Sequence, residues 1–243
     1  MTRVLVTGAS GGIGTAICAA LAARGASLVL HYQSGRAAAE ATRAALAGSG
    51  HALVAGNLTD AADVERLWRE ASAGAAIDAV VNNAGIFPNH PPLTTDYAGW
   101  IEAWQRTLAI NLTGPANLSW FAARSMAQRG GGRIVSVSSR GAFRGEPLAP
   151  AYAASKAGLN AFSQSLAKAL APSGVYCFVV APGWVSTARV AAAVADRAVI
   201  ADQPLGRVAT PEEVAQVVSF CVLDAPASMT GAILDVNGAS YLR

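Results

Sequence analysis

The strongest constraint on the fold is an alternation. Short β-branched or apolar runs at 4–7, 27–32, 51–55, 79–82, 134–138, 175–181 and 233–236 take turns with longer, mostly Ala-rich segments. Those segments, at 12–24, 36–47, 61–73, 100–128, 151–171 and 211–223, read as helices. Strand–helix–strand repetition calls for a parallel sheet with helices on both faces, because each parallel connection must cross the sheet. Strands covered on both sides are continuously apolar, and Cys177-Phe178-Val179-Val180-Ala181 is such a run. No linker, repeat or shift in composition divides the 243 residues, so the expectation is one doubly wound α/β domain with seven parallel strands. Ligands of open sheets sit beyond the carboxyl ends of the strands. The chemical motifs below all fall at such an end, or on a helix able to face one.

Bulk properties narrow the function classes. Hydrophobic residues make up 53% and charged ones 14%, a composition that buries a core. The mean hydropathy of +0.35 raises the question of a membrane span. The longest uncharged stretch, between Lys168 and Arg189, is broken by Pro172, Gly174, Pro182 and Gly183, which a spanning helix does not accommodate. The chain enters its first strand directly, so no leader is expected. A net charge of +3 carried by scattered Lys and Arg argues against nucleic acid as partner. Cys18, Cys177 and Cys221 are odd in number and far apart, which fits reduced thiols and a cytoplasmic location. His31, His51 and His90 lack ligand spacing, so no metal site is expected and strand-end or surface roles are assigned to them.

Thr7-Gly8-Ala9-Ser10-Gly11-Gly12-Ile13-Gly14 follows the first strand and opens the first helix. Glycines let the backbone approach a pyrophosphate, and the helix start offers free N–H donors at the positive end of the dipole. The absence of a Lys-Ser/Thr pair excludes the common P-loop. Tyr152-Ala153-Ala154-Ser155-Lys156 places a phenol and an ammonium one helical turn apart. A nearby ammonium favours phenolate and draws a phenol away from its usual pKa near ~10, toward a value useful for proton transfer.

The TGxxxGxG spacing resembles the glycine motif of the short-chain dehydrogenase/reductase family, and Asn82-Asn83-Ala84-Gly85 resembles that family's NNAG turn. Tyr152 and Lys156 match its YxxxK pair, and Ser139, thirteen residues before Tyr152, matches its serine. Ser138 is the rival; the spacing to Tyr152 favours Ser139. Asn111, in Ala109-Ile110-Asn111-Leu112-Thr113-Gly114, matches the family's catalytic asparagine, and Pro182-Gly183-Trp184-Val185-Ser186-Thr187 resembles its PGxxxT segment. The resemblance spans Thr7 to Thr187 and implies a Rossmann-like fold. It also implies an oxidoreductase that moves a hydride between a nicotinamide cofactor and a carbonyl/alcohol pair.

Under this resemblance Gly8, Ser10, Gly12, Ile13 and Gly14 cradle the pyrophosphate, Asn83, Ala84 and Gly85 lie along the cofactor, and Pro182, Gly183, Val185 and Thr187 hold the nicotinamide. Asn57 and Leu58 stand where the family contacts adenine. NAD sites commonly carry a carboxylate at the end of the second strand. Here the segment reads His31-Tyr32-Gln33-Ser34-Gly35-Arg36, so NADP(H) is favoured over NAD(H). Ser34, Gln33 and Arg36 stand as 2′-phosphate donors beside Tyr32. Gly11 stands where many relatives carry a basic residue.

The expected mechanism has Ser139 and Tyr152 binding the carbonyl oxygen, Tyr152 moving the proton, and Lys156 and Asn111 supporting the relay. The family also implies a homotetramer or homodimer. A lid over 188–205, with Phe87, Arg144, Trp184 and Val190 around the pocket, points to a small or medium carbonyl compound. One alternative is 3-oxoacyl-(acyl-carrier-protein) reduction, for which Arg129 and Arg133 would dock the acidic carrier. Ser173 departs from that group, where arginine is usual. A catalytically silent nucleotide sensor is the rival from another class, although all four catalytic positions are kept.

Overall fold

The computed structural model describes residues 1–188 and 197–243. Among these, seven strands form one sheet: β1 (Arg3–Val6), β2 (Ser27–Tyr32), β3 (Ala52–Ala55), β4 (Ala79–Asn82), β5 (Gly132–Val137), β6 (Val175–Pro182) and β7 (Ile233–Val236). Their order is β3-β2-β1-β4-β5-β6-β7 and all pairings are parallel. The chain walks outward from β1 to β3, then restarts on the other side of β1 with β4. That reversal opens a crevice at the carboxyl ends of β1 and β4, the usual seat of a nucleotide.

The helices are α1 (Gly12–Ala23), α2 (Arg36–Ala44), α3 (Ala61–Ser72), α4 (Tyr97–Leu108), α5 (Gly114–Gln128), α6 (Gly141–Arg144), α7 (Pro150–Leu170), α8 (Arg197–Ala201) and α9 (Pro211–Leu223). Strand alternation divides the core between two faces. Val4, Val6, Leu28, Leu30, Phe178 and Val180 pack with Ile17 and Leu21 of α1 and Val214 and Val218 of α9. Leu5, Val29, Val80, Ile134 and Cys177 turn the other way, onto Leu67 of α3, Leu118 and Met126 of α5, and Ala167 of α7. Burying a Leu, Ile, Val or Phe side chain is worth about 1.5–3 kcal/mol, so both faces contribute to fixing the strand ends.

Two helices differ most from their sequence expectation. The helix expected over 100–128 starts at Tyr97, because Asp96 caps it by accepting from the Gly99 N–H at 2.8 Å. It is also not uniform: Ala109–Thr113 forms a π-turn, with one extra residue per turn, between α4 and α5. The second helix ends at Ala44 rather than 47, after which Gly48 and Gly50 turn the chain with φ of +87° and +79°.

All three thiols are buried and unpaired, and burial pushes Cys18 and Cys177 up to about 12 and Cys221 to about 11, leaving them inert. No helix among the described residues is long and apolar enough to cross a membrane.

Candidate active site

The crevice is a cleft of about 640 Å³ running from the end of β2 to the segment after β6. Its floor is backbone. Gly8 turns the chain out of β1 at φ +63°, and a Cβ there would lie 2.9 Å from the Ala84 Cα. At Gly14 a Cβ would meet the Gly8 carbonyl oxygen at 2.1 Å, so α1 and the turn before it touch backbone to backbone. No side chain caps α1 and its first turn holds no acid, which leaves the leading N–H groups and the positive dipole end to the cleft.

A belt of hydrogen bonds fixes this floor. Thr7 Oγ1 accepts from the N–H groups of Asn83 and Ala84 at 2.9 and 3.0 Å, and Asn83 Nδ2 donates to the carbonyls of Thr7 and Gly8. The Gly8 N–H donates to His31 Nδ1 at 3.2 Å, while His31 Nε2 donates to the Gly56 carbonyl at 3.0 Å. These partners require a neutral ring with its proton on Nε2, and burial lowers the His31 pKa accordingly. The sequence assigned His31 an ordinary strand-end role; its partner from beyond β3 was not legible there.

Gly8, Ser10, Gly12, Ile13, Gly14, Tyr32, Gln33, Ser34, Leu58, Asn83, Ala84 and Gly85 all line the cleft, with Pro182, Gly183, Val185 and Thr187 at its far end. A Cβ at Gly12 would touch Thr187 Cγ2 at 2.9 Å, so the two ends of the cradle meet there. Two expected cofactor residues stand outside the lining. Arg36 is solvent-exposed and donates from Nε to Glu40 one turn on at 2.8 Å, because an i,i+4 carboxylate is the nearest partner a helix offers it. Asn57 is held off by its neighbours: its N–H donates to Asp63, and its Oδ1 accepts from Gln33 Nε2 and from Thr59. Those bonds to Asn57 and Arg66 hold the Asp63 carboxyl below its usual value.

Beyond β4 and β5 the lining becomes side chain. Tyr152 and Lys156 rise from α7 on one face, with Lys156 Nζ 5.8 Å from the centre of the Tyr152 ring and donating to the Val137 carbonyl at 2.8 Å. Phe87 packs edge-on to the Tyr152 ring at 4.6 Å. The start of α7 is set by His90, whose buried Nε2 accepts the Ala151 N–H at 3.0 Å, a cap the sequence did not disclose.

Asn111 sits within the π-turn and is fully buried. Its Oδ1 accepts the Ile86 N–H at 2.9 Å, and its Nδ2 donates to the Ile86 carbonyl and to Ser155 Oγ. It thereby joins α4–α5, the loop after β4, and α7. A Cβ on Gly85 would lie 3.3 Å from Asn111 Oδ1 and 3.5 Å from Lys156 Nζ, which brings asparagine and ammonium to the same spot.

Both serines line the cleft, but they differ. Ser138 Oγ donates to the Lys156 carbonyl at 3.3 Å. Ser139 Oγ instead accepts the Gly141 N–H at 3.0 Å, which leaves its own O–H for a ligand.

Of the residues expected around the substrate, Phe87 and Trp184 line the cleft, and Val190 lies outside the described residues. Arg144, expected with them, is not in the lining: its guanidinium is drawn to Asp202 at 3.1 Å. Arg129 and Arg133 are a correction. They lie at the amino end of β5, bonded to Asp78 and to the Cys221 carbonyl, on the opposite rim from the cleft. Parallel strands carry every carboxyl end to one rim, so a basic pair before β5 cannot flank it.

This arrangement fits a dinucleotide: uncapped helix donors, glycines that a Cβ would fill, and a proton-handling pair at the far end. Comparison with known proteins decides the family. Residues 8–239 match the family model described as enoyl-(acyl carrier protein) reductase. The chain belongs to the short-chain dehydrogenase/reductase family.

It is 40% identical to a cis-4-hydroxycyclohexanecarboxylate dehydrogenase of Sinomonas cyclohexanicum, over 96% of this chain and 94% of that one. Against the 3-oxoacyl-(acyl-carrier-protein) reductase of Escherichia coli it is 36% identical, over 98% and 96%. A crystal structure from Beutenbergia cavernae, described as an NAD(P)-dependent gluconate 5-dehydrogenase with NADP bound, superposes with a TM-score of 0.89 at 32% identity, covering 98% and 96%. The chain is therefore an NAD(P)-dependent oxidoreductase acting between a carbonyl and an alcohol.

Proposed function

We propose that the protein is an NADP(H)-preferring reductase of ketones and dehydrogenase of the matching alcohols, with Ser139, Tyr152, Lys156 and Asn111 as its catalytic group in one dinucleotide-binding and catalytic domain. The observation that carries this reading is the meeting of Tyr152, Lys156 and Ser139 at one end of a cleft whose other end is the bare start of α1. A nicotinamide held there supplies or accepts the hydride.

The chain's own groups do the rest. The Ser139 O–H and the Tyr152 phenol donate to the carbonyl oxygen, and the phenol proton passes to it as the alcohol forms. Lys156, tethered by the Val137 carbonyl, keeps a positive charge beside the ring and favours the phenolate left behind. Asn111 holds Ile86 and Ser155, and so the loop and the helix that flank the ammonium. Tyr152→Phe should lower kcat by about 10²–10⁴-fold while NADPH still binds, as followed by NADPH oxidation and by the fluorescence of the bound cofactor. Full turnover in that variant would refute the assignment, and tight NADPH binding with no turnover of any carbonyl by the wild type would favour a sensor.

The NADP preference rests on the end of β2, where Tyr32, Gln33, Ser34 and Gly35 line the cleft and the only carboxylate among the described lining residues, Glu146, follows β5 instead. Arg36 reaches a 2′-phosphate by leaving Glu40, an exposed partner that holds it only weakly.

Candidate substrates follow from the relatives: 4-oxocyclohexanecarboxylate, 5-ketogluconate and acetoacetyl thioesters form the panel. Acyl groups on an acidic carrier protein are the second reading, favoured by the identity to the carrier-protein reductases, with Arg144 as the basic residue beside the cleft. We expect a cytoplasmic homotetramer or homodimer. Trp120 is 55% exposed on α5, an apolar face that a second copy would cover, and light scattering reads the state.

A further inference from the structure

Directly after Ser139 the chain carries a charge that the proton relay does not use. Arg140 lines the cleft, and its side chain is 5% exposed. Its N–H donates to the Pro182 carbonyl, which holds the residue at the ends of β5 and β6. The side chain turns toward the C-terminal segment, where Nη1 donates to Ser240 Oγ, a neutral hydroxyl that itself donates to the Asn237 carbonyl.

The nearest carboxylate to Arg140 among the described residues is Asp202, at 3.8 Å, beyond hydrogen-bond distance. Asp202 is already engaged by Arg144 at 3.1 Å. Burial first, and then the Arg144 charge, lower the Arg140 pKa, and the charges of Asp202 and Glu146 act the other way without offsetting them. A guanidinium has five N–H donors and keeps its charge at any pH the protein meets. With one neutral hydrogen-bond partner and only a long ion pair to an Asp202 shared with Arg144, the buried guanidinium keeps N–H donors that an anion in the cleft can take.

Glu146, which lines the same cleft, acts on Arg140 only through space: it forms no ion pair within 4.0 Å among the described residues. Its carboxyl packs on Gly141, where a Cβ would meet Oε1 at 2.5 Å, and burial raises its pKa.

We propose that Arg140 is the anchor for a carboxylate on the substrate, so that the enzyme's substrates are oxo acids and hydroxy acids. This rests on Ser139 and Tyr152 holding the carbonyl. Arg140 lines the same cleft as Ser139 and Tyr152, so a molecule whose carbonyl lies between Ser139 and Tyr152 has its other end to place along a wall that includes Arg140. The fork of N–H groups matches a carboxylate in a bidentate manner. The carboxylate is unchanged by the reaction: the carbonyl carbon gains the hydride from NADPH, and its oxygen gains the proton from Tyr152.

The test compares 4-oxocyclohexanecarboxylate with its methyl ester, which differ by one charge. The wild type should prefer the acid in kcat/KM. Arg140→Met should erase about 30-fold or more of that preference, and Arg140→Lys should restore part of it. Should Arg140→Met fail to fold, Glu146→Gln asks the same question in the intact site: removing the opposing charge should lower KM for the acid several-fold and leave the acid/ester ratio shifted toward the acid.

Binding of cyclohexanecarboxylate and its methyl ester to the NADPH-loaded enzyme, read from cofactor fluorescence, repeats the comparison without turnover. Equal losses on acid and ester, an unmoved ratio in Glu146→Gln, or equal binding of the two ligands would overturn the carboxylate anchor. Tyr152-dependent reduction of neutral ketones alongside any of those results would leave the reductase reading standing.

Discussion

The two ends of the cleft are built on different principles. The end between β1, β2 and β4 is backbone: glycines without room for a Cβ, an uncapped helix start, and a belt through Thr7, Asn83 and His31. The end beyond β5 and β6 is side chain: Ser139, Arg140, Glu146, Tyr152 and Trp184, drawn from separate elements. A backbone site accepts one ligand shape and admits almost no variation. A side-chain site can be retuned residue by residue while the sheet beneath stays put. Such a division lets one scaffold keep a cofactor and change substrates.

The sharpest way to break this contrast is at Gly14. A methyl group there would press on the Gly8 oxygen, so Gly14→Ala should lower NADPH affinity by at least about 10-fold, with a stability loss of about 1–3 kcal/mol for the forced backbone shift. Fluorescence titration and thermal melting measure both. A variant that binds normally would mean the floor yields.

Next in size is Ser34→Asp, which places a carboxylate where a 2′-phosphate would sit. NADPH should lose about 10-fold or more in kcat/KM relative to NADH, and an unchanged ratio would place the 2′ position elsewhere.

A third test uses pH. The folded His31 pKa lies below its ordinary value of 6.5, so the unfolded chain binds the extra proton first. The stability that neutral His31 contributes is therefore complete above about pH 6.5 and lost as pH falls through the folded value. Melting temperature should fall more steeply between about pH 7 and about pH 5.5 in the wild type than in His31→Gln, whose amide cannot charge. Parallel curves would remove His31 from the belt's energetics.

The smallest expected effect is Arg36→Ala. Its present partner is an exposed Glu40, so KM for NADPH should rise only a few-fold, with KM for NADH unmoved.

The same contrast explains what could be read from the sequence. β2, β4 and β7 fall where their apolar runs predict, and the glycine turn, the NNAG turn and the Tyr152/Lys156 pair come together because each motif is local and strand order does the gathering. What stayed hidden depends on partners distant in the chain. His90 caps α7 from a loop 61 residues away, and Arg140 owes its burial in part to a contact 100 residues on. Arg36 and Asn57 show the converse: sound donors by type, each captured by a neighbour within a few residues. The π-turn has no composition of its own, and only the awkwardness of Asn111 inside a helix hinted at it.

That turn has a consequence for how this stretch tolerates change in length. An extra residue in one turn offsets everything after it by roughly 100° around the helix axis. Wound as ordinary α-helix with every residue kept, the segment would swing Leu118, Ala122 and Met126 off the sheet they cover; deleting one of Ala109 to Thr113 would keep them there but close the turn that carries Asn111. Nearby surface loops can gain or lose a residue without penalty, whereas here the count itself is inherited, whatever letters fill it.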